Sequence, residues 1–202
     1  NRTINLIAGE QLYVGCYVND YNGTDYEVKS FNDGGTGSTY AVWNSTVGQY
    51  MITTDPNVGG TITMVLRFKG NSQFNAKELT ITVNIAPKAD AEFKTRGQYA
   101  AGNNQQIWDW GTEGYTFTSL STGDRIKIET SLPNDATGEV TAILDEKNGS
   151  TGSVLSVATE DGKKVFYFTA GGTQGTEVYI RISYAGDSKY NPANTKVRIK
   201  TV

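Results

Sequence analysis

The chain has 202 residues, and 18 Lys and Arg against 21 Asp and Glu leave a formal charge of −3, so no basic field is present to hold nucleic acid or an anionic membrane surface. It contains no histidine and one cysteine, Cys16. That excludes serine–histidine and cysteine–histidine catalysis, an internal disulfide and a thiolate metal centre, and it removes the commonest zinc and copper ligand. With 23 glycines, and 12 tyrosines against 7 phenylalanines, the composition favours broad, half-solvated β surfaces over compact helical cores. No apolar run reaches the roughly 18 residues needed to span a bilayer as a helix. The chain opens at Asn1 with neither an initiator Met nor a signal sequence, as expected for a processed product or an excerpt.

From the first residues onward the alternation has period two, and no segment carries a helical period. Ile4, Leu6 and Ala8 alternate with Thr3, Asn5 and Ile7. This stretch reads as the first strand of its own sandwich, or as a donor strand that completes a neighbour's open sheet edge. Leu12, Val14, Cys16 and Val18 share one face of the next strand, where Cys16 reads as a buried, inert thiol. Further strands are expected near Val28, at Tyr40 and Val42 alternating with Ala41 and Trp43, at Tyr50 and Ile52, and near Met64 and Ile81. In the second half, Ile126 and Ile128 alternate with Arg125, Lys127 and Glu129, and Phe166 and Phe168 lie between Val165, Tyr167 and Thr169. Turn signals fall between these runs at Asn22-Gly23, Asp33-Gly34-Gly35, Asn148-Gly149, Asp161-Gly162 and Gly171-Gly172. The fold class is all-β.

Residues 59–86 and 175–202 align without a gap, with Gly59, Gly70, Ser72 and Asn75 meeting Gly175, Gly186, Ser188 and Asn191. Ile62, Met64, Leu66 and Phe68 match Val178, Ile180, Ile182 and Tyr184 on the inward face, and Ile81 and Val83 match Val197 and Ile199. Because register in a sheet is set by the side that is buried, shared parity implies shared packing. The chain therefore reads as two related domains, 1–87 and 88–202, parted at Ala86-Pro87-Lys88-Ala89-Asp90, where proline ends a central strand. Seven short strands in the first domain suit a two-sheet sandwich. The second domain carries extra material between Arg96 and Leu120. So short a linker, without a Gly/Ser tract, predicts a semi-rigid end-to-end arrangement.

The run Leu132-Pro133-Asn134-Asp135-Ala136-Thr137-Gly138-Glu139-Val140-Thr141, followed by Tyr184-Ala185-Gly186-Asp187-Ser188-Lys189-Tyr190-Asn191-Pro192-Ala193, resembles the bacterial and archaeal immunoglobulin-like repeats strung along surface adhesins and filament proteins. Phe68-Lys69-Gly70-Asn71-Ser72-Gln73-Phe74-Asn75 resembles the second of these segments. The resemblance covers residues 124–202 well and 48–86 less well; 17–47 and the stretch near Trp108 depart from it. It implies two tandem immunoglobulin-like β-sandwiches with an extracellular, non-catalytic spacer, adhesion or structural role. It specifies fold rather than activity.

Among candidate sites, Trp108-Asp109-Trp110 with Tyr115 and Phe117 comes first. Period two puts Trp108 and Trp110 on one side of a strand, where paired indoles stack on sugar rings or anchor a protein partner. The competing reading has them fill the sandwich core or the joint between domains. Asp20, Asp25, Asn32 and Asp33 are hard oxygen ligands in glycine-rich loops, but their spacing departs from a calcium loop and suits turn chemistry. Asp187 and Asn191 serve the turn they sit in. The carboxylate pairs Asp145/Glu146 and Glu160/Asp161 read as solvated charge rather than a glycosidase acid and base. Sequons place candidate glycans on Asn1, Asn22, Asn44 and Asn148.

The expectation is an extracellular structural or adhesive protein, a surface-filament or adhesin-stalk subunit assembled through homotypic contacts or neighbouring domains. It has no catalytic residues, no cofactor, no metal, no nucleic-acid partner and no membrane insertion. A carbohydrate-binding module using Trp108 and Trp110 is the alternative, followed by a virion decoration or tail protein.

Overall fold

A computed structural model describes residues 1–15, 26–44, 49–100, 105–112, 115–147, 152–172 and 175–201, with the backbone alone at 115–119, 146 and 147. Every regular element among them is a β-strand, and the chain divides into two compact units, Asn1–Lys88 and Ala89–Val202.

Unit 1 contains β1 (Arg2–Ile7), β2 (Gln11–Gly15), β3 (Tyr26–Asn32), β4 (Thr39–Asn44), β5 (Gln49–Thr53), β6 (Gly60–Phe68) and β7 (Lys77–Ala86). They form a four-stranded sheet ordered β1-β7-β6-β3 and a three-stranded sheet ordered β2-β5-β4. The chain neighbours β4–β5 and β6–β7 pair antiparallel, as do β2–β5 and β3–β6 across longer connections, whereas β1 joins β7 in parallel, from Arg2↔Ile81 to Ile7↔Ala86. Alternation decides which sides meet. Val14, Tyr50 and Ile52 from one sheet pack on Ile62, Met64, Leu66, Ile81, Val83 and Ile85 from the other.

Unit 2 contains β8 (Ala89–Asp90), β9 (Lys94–Tyr99), β10 (Gln106–Gly111), β11 (Tyr115–Leu120), β12 (Arg125–Ser131), β13 (Val140–Lys147), β14 (Val154–Glu160), β15 (Lys163–Thr169), β16 (Glu177–Tyr184), β17 (Tyr190–Asn191) and β18 (Ala193–Thr201). Its sheets are ordered β11-β18-β16-β13 and β10-β9-β12-β15-β14, with a small parallel β17-β8 pair. Strip off β8, β9, β10 and β17 and the scheme of unit 1 remains, including a parallel first-to-last pair, here β11 with β18. The second, fifth and fourth strands of that scheme facing the third, sixth and seventh is the B-E-D against C-F-G arrangement of immunoglobulin-like sandwiches. Both units are of this type, so the chain is a tandem of immunoglobulin-like domains. The core of unit 2 gathers Ile126, Ile128, Phe166 and Phe168 against Val178, Ile180, Ile182, Val197 and Ile199.

The two closing hairpins agree down to single atoms. Asn71 Oδ1 accepts from the backbone N–H of Gln73 and Phe74 at 2.8 and 2.7 Å. The aligned Asp187 Oδ1 accepts from Lys189 and Tyr190 at 2.8 and 2.9 Å. The preceding Gly70 and Gly186 have φ of 81° and 74°, a left-handed conformation that side chains other than glycine rarely adopt. All eight inward residues aligned on β6 and β16 are buried.

Candidate functional site

The β9–β10 hairpin separates the two tryptophans that period-two reasoning places together. Its register runs Gln106↔Gln98, Trp108↔Gly97 and Gly111↔Thr95, with irregularities on both sides of Trp108. Three residues of β10 thus span two of β9, and a bulge of this kind turns the following side chain to the opposite face. Trp108 is 6% exposed and lies in the core over Gly97, where an added Cβ would come within 2.1 Å of the indole. Trp110 is 39% exposed on the outward face, with the Arg96 guanidinium 4.8 Å from its ring centroid. The expectation of paired indoles on one side is corrected accordingly. Tyr115 opens β11, which belongs to the other sheet of the unit.

Arg96 begins a row of charges along the outward face of the five-stranded sheet. Arg96 Nε donates to Glu129, and Lys127 Nζ reaches Glu129 at 3.2 Å and Glu160 at 2.7 Å. The Tyr167 hydroxyl donates to Glu160, and the Arg125 guanidinium lies 4.1 Å from the Tyr167 ring centroid. The Arg96 hydrogen bond holds Glu129, and the Lys127 hydrogen bond holds Glu160, below the usual carboxylate range. Glu160 is therefore held ionised, the reverse of what a glycosidase acid requires. Its neighbour Asp161, at φ 48°, forms with Gly162 the two-residue turn between β14 and β15. Asp145 pairs with Arg181 on the adjacent strand. The side chain of Glu146 lies outside the described residues.

The loop carboxylates serve turns. Asp33 accepts from the N–H groups of Gly35 and Gly37, both at 3.2 Å, and Asn32 Oδ1 accepts from Gly34 at 2.9 Å. Asp187 also accepts from Thr137 N–H and from the Tyr184 hydroxyl, each at 2.7 Å, while Asn191 Nδ2 donates to Asp90 at 2.9 Å. Cys16, Asp20, Asp25 and the sequon residues Asn22 and Asn148 lie outside the described residues. Asn1 and Asn44 are exposed. Ile4 and Leu6 pack partly buried against the core of their own unit, and Ala8, 1% exposed, donates its N–H to Ala86 O.

A second aromatic pair, not singled out by the sequence reading, lies on the outward face of β2-β5-β4. Tyr13 and Trp43 are 51% and 57% exposed, with ring centroids 5.0 Å apart and planes inclined at 66°. Tyr13 is the outward neighbour of Val14, and Trp43 stands at a bulge between Val42↔Tyr50 and Asn44↔Gln49. The alternation of Ala41 and Trp43 with Tyr40 and Val42 held a signal for this position, since it parts Trp43 from the side shared by Tyr40 and Val42.

No family model and no curated protein matches the chain. Among solved structures it is similar to the titin I-band fragment I67–I69, at 7% identity over 99% of this chain and 62% of that one, TM-score 0.32. It is also similar to the D00–D0 domain of intimin, at 13% identity over 98% and 95%, TM-score 0.32, and to the Escherichia coli adhesin FdeC, at 14% over 96% and 60%, TM-score 0.28. The chain spans about three fifths of the titin fragment's length. Strand order within each unit, rather than these likenesses, identifies the fold.

Proposed function

We propose that the chain is a load-bearing, non-catalytic segment of an extracellular adhesive or surface protein, a stretch of stalk made from repeated sandwiches. The observation that carries this reading is the parallel pairing of β1 with β7 over six residues. These are the first and last strands of unit 1, so tension applied at its two ends pulls them in opposite directions along their length. The ladder is then loaded in shear, all its bonds together, rather than opened one bond at a time. Repetition of the scheme in unit 2 supports a modular array, in which each repeat adds length without new chemistry. In this reading Ile4, Leu6 and Ala8 clamp their own domain and no strand exchange is needed. The partners are neighbouring domains of the same protein or further copies, and glycans on Asn1 and Asn44 face the surroundings.

Single-molecule pulling tests the reading. Unit 1 held at residues 1 and 88 is expected to unfold at several times the force needed when it is held at residues 1 and 77. The second geometry peels β1 from the start of β7. Equal forces in the two geometries would remove the mechanical role.

A further inference from the structure

Tyr13 and Trp43 sit on a sheet face with an unusual chemical make-up. The outward positions of β2, β5 and β4 form three rows across the sheet, Gln11–Thr53–Thr39, Tyr13–Met51–Ala41 and Gly15–Gln49–Asn44, with Trp43 added at the bulge. None of these side chains carries a charge at neutral pH. The opposite case stands in unit 2, where the outward face of β9-β12-β15-β14 is crossed by the ion row from Arg96 to Glu160. Two large, half-exposed aromatic rings, set among amides and hydroxyls at uncharged outward strand positions, match a ligand with apolar ring faces and many neutral hydroxyls. Amides both donate and accept, as hydroxyls do. Aromatic rings supply apolar area with a polar tip.

We propose that this face binds carbohydrate, with Tyr13 and Trp43 seating one hexopyranose ring of a neutral polysaccharide. Planes inclined at 66° with centroids 5.0 Å apart make a corner rather than a flat shelf. A corner takes a single ring, its C–H face on one aromatic and its edge against the other, and does not track a long flat chain. Met51 floors the corner between the two strands that carry the aromatics. Gln11, Gln49 and Asn44 flank it along the strands and meet the hydroxyls. A charged polymer is disfavoured because the described outward positions of β2, β5 and β4 carry no ion to pair with it. The inference is independent of the load-bearing role, since it uses neither β1 nor β7.

The test is native-gel retardation of the whole chain, made in a host that adds no N-glycans, in gels containing mannan, β-glucan, xylan or galactan, with alginate as the anionic control. At least one neutral polymer is expected to retard the wild type. Trp43→Ala and Tyr13→Ala should each weaken that retardation about tenfold, with melting lowered by no more than a few degrees, since each side chain is about half exposed and loses one ring–ring contact. Trp110→Ala, on the other unit, should bind as wild type does. The proposal is overturned if none of the four neutral polymers retards the chain, if alginate alone does, or if retardation survives both substitutions.

Discussion

Asp187 gathers five donors: the backbone N–H groups of Thr137, Lys189 and Tyr190, and the Thr137 and Tyr184 hydroxyls. These bonds, that from the Thr137 N–H foremost, hold its carboxyl well below the usual carboxylate range. A depressed folded value means that the stabilisation is complete above the unfolded pKa of about 4 and is lost as pH falls below it. Burial and the bond to Asp187 push Tyr184 up to about 12, so its share is complete below the unfolded value of about 10 and is lost as pH rises towards the folded one. Asp187→Asn reproduces the residue that unit 1 uses at Asn71. It should fold with melting lowered by a few degrees at neutral pH and should flatten the acid limb of unit 2's stability curve. Tyr184→Phe should flatten the alkaline limb instead. Calorimetry across pH reads both, and unaltered limbs would refute the assignment. The role of Asp187 in its own turn was legible from spacing alone, because Asx turns act over two or three residues. Its reach to Thr137 was not, because fifty residues separate the partners.

At the scale of elements, the β9–β10 hairpin shows where period-two reading stops. Alternation predicts faces only while each residue opposes one partner, and a bulge breaks that count. Nothing in Trp108-Asp109-Trp110 announces the extra residue; its cause lies on the facing strand, where Gly97 leaves room for the indole. Gly97→Ala should therefore unseat Trp108 and destabilise unit 2 by about 1–3 kcal/mol, measured as a fall in denaturant midpoint with a red-shifted tryptophan emission. An unchanged midpoint would mean that the ring sits elsewhere. The strands of unit 1 were legible because each is short, alternating and bounded by turn residues. The exposure of Val42 at 60% despite its inward parity was not. Its strand, β4, is an edge of the smaller sheet, and edge position is a property of the assembled sheet rather than of local sequence.

Across the whole molecule, each unit has its own hydrophobic cluster, one around Ile62, Met64 and Leu66 and the other around Ile126, Phe168 and Ile180. Met64→Ala and Ile180→Ala, both at fully buried positions, should each cost about 2–5 kcal/mol. Each should move one of two calorimetric transitions and leave the other in place; a single transition displaced by either substitution would contradict separate cores. Duplication was visible in the sequence because buried positions tolerate exchange among apolar residues while keeping their parity. The paired closing hairpins have a kinetic corollary. Tandem domains with interchangeable hairpins risk trading them while folding, which leaves swapped, tangled neighbours. Here the backbone route is common to both, yet only four of 28 aligned residues are identical, so an exchanged hairpin would bring a different set of side chains to each half and is expected to be less stable than the native one.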